Sequence, residues 1–147
     1  MAIVISKSPE ETFALGETWG RLAQRGWVIG LSGDLGAGKT QLVKGLARGL
    51  GSTARVHSPT FALLNEYLGG REPLFHLDLY RLNDAKEVFS AGLEEYLVNP
   101  AGVAVVEWIE RWQPAAPGQN LHALKRVVRI ETLSETERRI TYEDSGA

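Results

Sequence analysis

The chain has 147 residues, with 16 Lys and Arg against 18 Asp and Glu, 44% apolar residues and no cysteine. This is a single-domain length with ordinary globular composition; near-balanced charge disfavours a nucleic-acid footprint, and the lack of cysteine excludes disulfides and thiolate zinc sites. No charged leader precedes a long apolar stretch and no run approaches the ~20 apolar residues that span a bilayer, so a soluble cytoplasmic protein with no membrane association is expected.

Ala2-Ile3-Val4-Ile5 is a short apolar run suited to a strand. Ser8-Pro9-Glu10-Glu11 reads as a helix start, with Ser8 as N-cap, Pro9 in the first turn and Glu11 closing a capping box. Phe13, Leu15, Trp19 and Leu22 come next at mostly helical spacing, and Gly26 ends that helix. Residues 27–31 (Trp-Val-Ile-Gly-Leu) form a strand that runs directly into a glycine-rich turn, and a helix extends from Lys39 to about Leu50, apolar at Leu42, Val43, Leu46, Ala47 and Leu50. Lys44, Arg48 and Arg55 fit a solvated helix side better than a basic patch. Ser58-Pro59 breaks any helix, residues 60–67 read as a strand, Leu68 to Arg71 as a hairpin loop and Leu74 to Asp78 as its return strand. Asp84 to Phe89 and Ala91 to Leu97 suggest two short helices. Val103 to Val106 is a continuous buried-strand run, Pro114 to Gln119 a loose loop, and Lys125 to Thr132 with Glu137 to Tyr142 a final pair of strands. There is no internal repeat and no second core, so residues 1–147 are read as one small three-layer α/β domain. Its hairpins require a sheet that is part parallel and part antiparallel.

Gly33 to Thr40 reads G-D-L-G-A-G-K-T, the G-x-x-x-x-G-K-[ST] pattern between a strand and a helix. Triphosphate oxygens must be met by several backbone N–H groups in one concavity. Gly33, Gly36 and Gly38 let the chain curl tightly, while Asp34, Leu35 and Ala37 complete the turn. The helix opening at Lys39 adds its dipole and unpaired amides. Lys39 can reach the β- and γ-phosphates and the Thr40 hydroxyl can ligate Mg²⁺. The fold class is therefore a P-loop NTPase-like α/β domain, and the implied cofactors are ATP and Mg²⁺.

A nucleotide hydrolase also needs a carboxylate for the metal shell and a group that orients water. Both should lie at strand carboxyl ends beside the phosphate turn. Val103-Ala104-Val105-Val106-Glu107 and Leu74-Phe75-His76-Leu77-Asp78 each end in an acid. Glu107 is assigned to the metal shell and Asp78 to placing water or completing that shell, roles that can be exchanged. Either acid alone also fits an ordinary polar strand exit. Thr60 reads first as a strand-opening residue whose hydroxyl caps a turn, and second as part of a loop that senses the γ-phosphate. Trp108 reads as a wall or core aromatic, His57 and His76 as hydrogen-bonded structural residues, and His122 as solvated. Arg81 and Arg111 are candidates for a cation facing the nucleotide, or for surface pairs with an acid.

The phosphate turn, then H-S-P-T-F at 57–61, H-L-D-L-Y-R-L at 76–82 and V-V-E-W at 105–108, together resemble the TsaE (YjeE) family. Those are bacterial P-loop ATPases that assist threonylcarbamoyl modification of adenosine 37 in tRNAs reading ANN codons. The resemblance covers about Ser8 to Ile109. It implies a compact α/β ATPase that acts with TsaB and TsaD, the pair that carries the transferase activity; direct tRNA contact by this chain is not expected. By the same resemblance Gly33 to Thr40 bind ATP, Thr40 and Glu107 hold magnesium, and Asp78 is essential for hydrolysis. Ser58-Pro59-Thr60 belong to a switch-like loop, Trp108 flanks the nucleotide pocket, and Thr12 lies near the adenine. The chain departs from the family after Trp112, where Gln113 to Gly118 replace a Leu-Pro turn.

Two other readings compete. One is a nucleotide-gated binding module in which ATP occupancy, not cleavage, shapes a partner interface. The other is a small-molecule kinase, disfavoured because there is no evident lid insertion or Arg-rich acceptor segment. A GTPase is disfavoured because no Asn-Lys-x-Asp segment occurs.

Overall fold

In the computed structural model, residues 2–33, 38–53, 64–109 and 124–144 are described. The chain runs β1 (Ala2–Ser6), α1 (Pro9–Leu22), β2 (Val28–Gly33), α2 (Lys39–Gly49), β3 (Leu64–Tyr67), β4 (Leu74–Asp78), α3 (Ala85–Ser90), α4 (Glu94–Val98), β5 (Val103–Glu107), β6 (Leu124–Thr132) and β7 (Arg138–Asp144). The strands form one seven-stranded sheet in the order β1-β7-β6-β2-β5-β4-β3. Its centre, β6-β2-β5-β4, is parallel, and β3, β7 and β1 join antiparallel to their neighbours. The expected mixed sheet is what forms.

Strand alternation sorts the core onto two faces. Ile29, Leu31, Leu74, Val103 and Val105 pack with Trp19 of α1 and Leu42, Val43, Leu46 and Ala47 of α2. Val28, Phe75, Leu77, Ala104 and Val106 pack with Val88, Leu93 and Leu97 around α3 and α4. The result is three layers with β2 and β5 inside, which explains why their sequences are continuously apolar.

The buried stripe of α1 is not the one its large apolar residues suggest. Leu22 is 59% exposed and Leu15 only half-buried, whereas Thr12, Gly16, Trp19 and Gly20 are buried. The reason is a backbone-to-backbone crossing with α2. A Cβ on Gly16 would stand 2.3 Å from the Leu42 carbonyl oxygen, and one on Gly45 would stand 2.1 Å from that of Phe13. Gly20 and Gly49 continue the seam one turn on. Residues without side chains let the helices touch along their main chains, which a search for apolar periodicity overlooks.

Helix ends obey local chemistry. Ser8 caps α1 as expected, its Oγ accepting from the Glu11 N–H at 3.1 Å. The Glu11 carboxylate accepts from the Lys7 N–H at 3.2 Å, one residue before the cap. The helix stops at Leu22 and not at Gly26: Ala23 turns to extended backbone, and Arg71 donates to the carbonyls of Gly20 at 2.6 Å and Arg21 at 3.0 Å. Arg71 also donates its N–H to the Leu50 carbonyl at 2.8 Å, so the β3–β4 loop binds the carboxyl ends of both helices. The two short helices α3 and α4 begin later than their sequences suggest, at Ala85 and Glu94; Gly92, at φ 76°, turns the chain between them.

Candidate functional site

The parallel register sets the site. Leu31 of β2 and Asp78 of β4 are both opposite Glu107 of β5; β4 and β5 end in that row, and β2 runs on to Gly33. Alternation places Glu107 and Asp78 on the face covered by α2, the helix that opens at Lys39. From β2 the chain passes through Gly33, at φ 122°, and re-emerges at Gly38, at φ 94°, a conformation that suits glycine and disfavours side chains. Gly33 also has no room for a side chain, since a Cβ would meet the Ile130 carbonyl oxygen of β6. Lys39 and Thr40 are the first two residues of α2. Asp34, Leu35, Gly36 and Ala37 lie outside the described residues, as do Thr60 with Ser58-Pro59, Arg111, His57 and His122.

Lys39 is only 4% exposed, and its Nζ sits 5.0 Å from the centre of the Trp108 ring. Trp108 reaches that place by a left-handed backbone turn, φ 61°, immediately after β5. For a bulky residue this costs about 1–3 kcal/mol, strain that characteristically gathers at functional sites. Tyr80, after Asp78, contacts the same indole at 5.1 Å between ring centres. Trp108 is therefore a wall beside Lys39, where the sequence allows a wall or a core aromatic. Arg81 is exposed.

The acids are unequal in their surroundings. Glu107 is 8% exposed, and its Oε2 accepts from Nε2 of the fully buried His76 at 2.6 Å. Asp78 is half-buried and accepts from the Tyr80 N–H at 2.9 Å. Burial, and then the charge of Glu107, hold the Asp78 carboxyl above its ordinary range, against the Tyr80 N–H, His76 and Lys39, which pull it down. Two oxygen acids side by side in a poorly solvated place suit a hard cation. Among the described residues no group of three or more His, Cys, Asp or Glu could hold a metal unaided. A cation here would complete its shell with hydroxyl, phosphate and water, which is the habit of Mg²⁺.

On the other side of the α2 amino terminus is a cavity of about 210 Å³ lined by Pro9, Thr12, Gly38, Gln41, Glu135, Thr136 and Arg138. It is smaller than the ~300–1,000 Å³ that encloses a whole drug-sized ligand, so it has room for part of one. Thr12, singled out from the sequence, is in its wall, and its hydroxyl is 2.7 Å from Ser6 Oγ. Gln41, Glu135, Thr136 and Arg138 carry no signal in the sequence. The last three lie beyond the segment that carries the resemblance, and only the β6–β7 hairpin brings them back to α1.

With this geometry in place, comparison with known proteins is decisive. The family profile described as "Threonylcarbamoyl adenosine biosynthesis protein TsaE" matches residues 6–140. The chain belongs to the TsaE family. Membership extends past Trp112 through β6 and into β7, further than the sequence blocks reach. The TsaE protein of Bacillus subtilis is 41% identical over 139 residues, 95% of this chain and 83% of that protein. That of a Nostoc species is 46% identical, covering 84% and 77%, and that of Treponema pallidum 40%, covering 93% and 96%. A crystal structure of B. subtilis YdiB superposes with a TM-score of 0.71 at 33% identity, covering 99% of this chain and 86% of that one. The chain thus has a role of the TsaE kind, in tRNA threonylcarbamoyladenosine biosynthesis. Among the described residues no helix is long and apolar enough to cross a membrane.

Proposed function

We propose that the chain is a Mg²⁺-dependent ATPase that drives or gates threonylcarbamoylation of tRNA by acting on the TsaB–TsaD complex. The observation that carries this reading is the convergence of Lys39, at the amino end of α2, with Asp78 and Glu107 at the ends of β4 and β5. Lys39, the loop amides and the α2 amino terminus take the triphosphate. The purine end extends toward Thr12 and Arg138. Thr40 and Glu107 hold Mg²⁺, which neutralises charge on the phosphates, and Asp78 orients the water that attacks the γ-phosphate in line.

Among the described residues no cation other than Lys39 is established beside the transferred phosphate. Turnover by the isolated chain should therefore be slow, well below the ~1–100 s⁻¹ of kinases, and should rise when TsaB and TsaD complete the site. The test is phosphate release and tRNA modification in a reconstituted mixture. Asp78→Ala should keep ATP binding and lose both activities. If Asp78→Ala supports full modification, occupancy alone suffices and the chain is a nucleotide-gated binding module. A phosphorylated small-molecule acceptor would make it a kinase.

A further inference from the structure

Tyr67 of β3, His76 of β4 and Glu107 of β5 form a line across three neighbouring strands on the face that α2 covers. His76 is opposite Val105 in the register, two residues before Glu107, so it meets the Glu107 carboxylate on the diagonal. The His76 ring is fully buried, with Nε2 at 2.6 Å from Glu107 Oε2 and Nδ1 at 3.4 Å from the Tyr67 hydroxyl. A carboxylate oxygen can only accept, so the proton is on Nε2. Nδ1, on the other side of the ring, faces the Tyr67 hydroxyl. The line of contacts ends on an acid of the site.

We propose that His76 is a positioning residue for Glu107, and that Tyr67 holds the far side of its ring. The inference rests on the nucleotide reading above. The terminal torsion of a glutamate is soft, and Asp78 stands opposite with a charge of the same sign, which favours turning the Glu107 carboxylate away. Tethering Oε2 to a buried imidazole leaves Oε1 as the oxygen presented to the cation. Mg²⁺ tolerates little departure from octahedral geometry, so a ligand that rotates freely binds it poorly. Partners of this kind typically contribute about 10–100-fold to metal affinity. The sequence carries a signal in His76-Leu77-Asp78, since residues two apart on a strand share a face.

Two isosteric substitutions test the idea. His76→Gln places an amide nitrogen near the position of Nε2 and still reaches Glu107; His76→Asn places one near Nδ1 and reaches only toward Tyr67. The readout is calorimetric affinity for a non-hydrolysable ATP analogue, with EDTA and across a MgCl₂ titration. The MgCl₂ concentration giving half the metal-dependent gain in affinity should rise about 10–100-fold in His76→Asn and stay near wild type in His76→Gln. Tyr67→Phe should raise it by less, and affinity in EDTA should be the same in all. An unchanged midpoint in His76→Asn overturns the inference. An equal rise in both His76 variants also overturns it, because it reflects packing alone. Failure of the wild-type chain to bind the analogue removes the nucleotide reading itself, which is a different result from either.

Discussion

Asp78 and Glu107 stand directly opposite each other at the ends of the parallel strands β4 and β5, two acids in one row on one face. Burial first, then this neighbour, raises the Asp78 carboxyl from its ordinary 3.8. The folded chain therefore holds that proton more tightly than the unfolded chain does. Its contribution to stability is fully present below about pH 3.8 and is lost as pH rises through the folded value. At neutral pH the ionised group opposes folding. Asp78→Asn, which keeps an oxygen for the Tyr80 N–H, should unfold at higher urea concentration than wild type at neutral pH without metal. The advantage should shrink as the pH is lowered. A less stable Asn variant at neutral pH would show that Asp78 is not frustrated by its surroundings.

Lys39 is buried against Trp108 at the start of α2, and in the proposed function it meets the phosphates. Lys39→Ala removes a charge-assisted contact of roughly 1.5–3 kcal/mol, equivalent to a ten- to hundredfold weaker affinity for ATP. Calorimetry should show this loss with the fold intact by circular dichroism. Unchanged affinity would contradict the assigned role.

Gly45 is at the closest point of the α1–α2 crossing. Alanine there gains up to about 1 kcal/mol of helix propensity. It must also force apart two main chains, since its Cβ would be 2.1 Å from the Phe13 carbonyl oxygen and 2.8 Å from the Glu17 nitrogen. Overpacking of this kind costs typically 1–3 kcal/mol, so a lower Tm is expected. The displacement would also shift Thr12 at the cavity wall. A higher Tm for Gly45→Ala would mean the seam has slack.

Arg71→Ala strips the guanidinium from two terminal carbonyls of α1, those of Gly20 and Arg21. A loss of about 1–3 kcal/mol is expected by chemical denaturation. Arg71→Lys should recover only part of it, because both bonds leave Nη2 and the shorter lysine side chain stops its ammonium short of that position. Full recovery by lysine would reduce the contact to simple charge.

The strand and helix that flank the glycine-rich segment, the two acids at strand ends and the mixed sheet are legible because each is written in contiguous residues with its own period. The Val103–Glu107 run, for instance, is at once a buried strand and its chemical terminus. The α1 face is misjudged from apolar spacing because Gly16 and Gly20 are buried by backbone approach, which leaves no apolar signal. His76 reads as a structural histidine because its partner is 31 positions away in sequence.

Local chemistry by itself determined that a strand runs into Gly33, that a helix opens after Gly38, and that two strands finish in carboxylates. Conformational freedom, capping and strand periodicity all act within a few residues. Only the tertiary structure decided that Glu107 lies between Asp78 and His76, that Trp108 takes a left-handed turn to wall in Lys39, and that Arg138 closes a cavity beside Thr12. Those relationships depend on strand order and register, set by how helices and strands share their cores, and no short stretch of sequence encodes them.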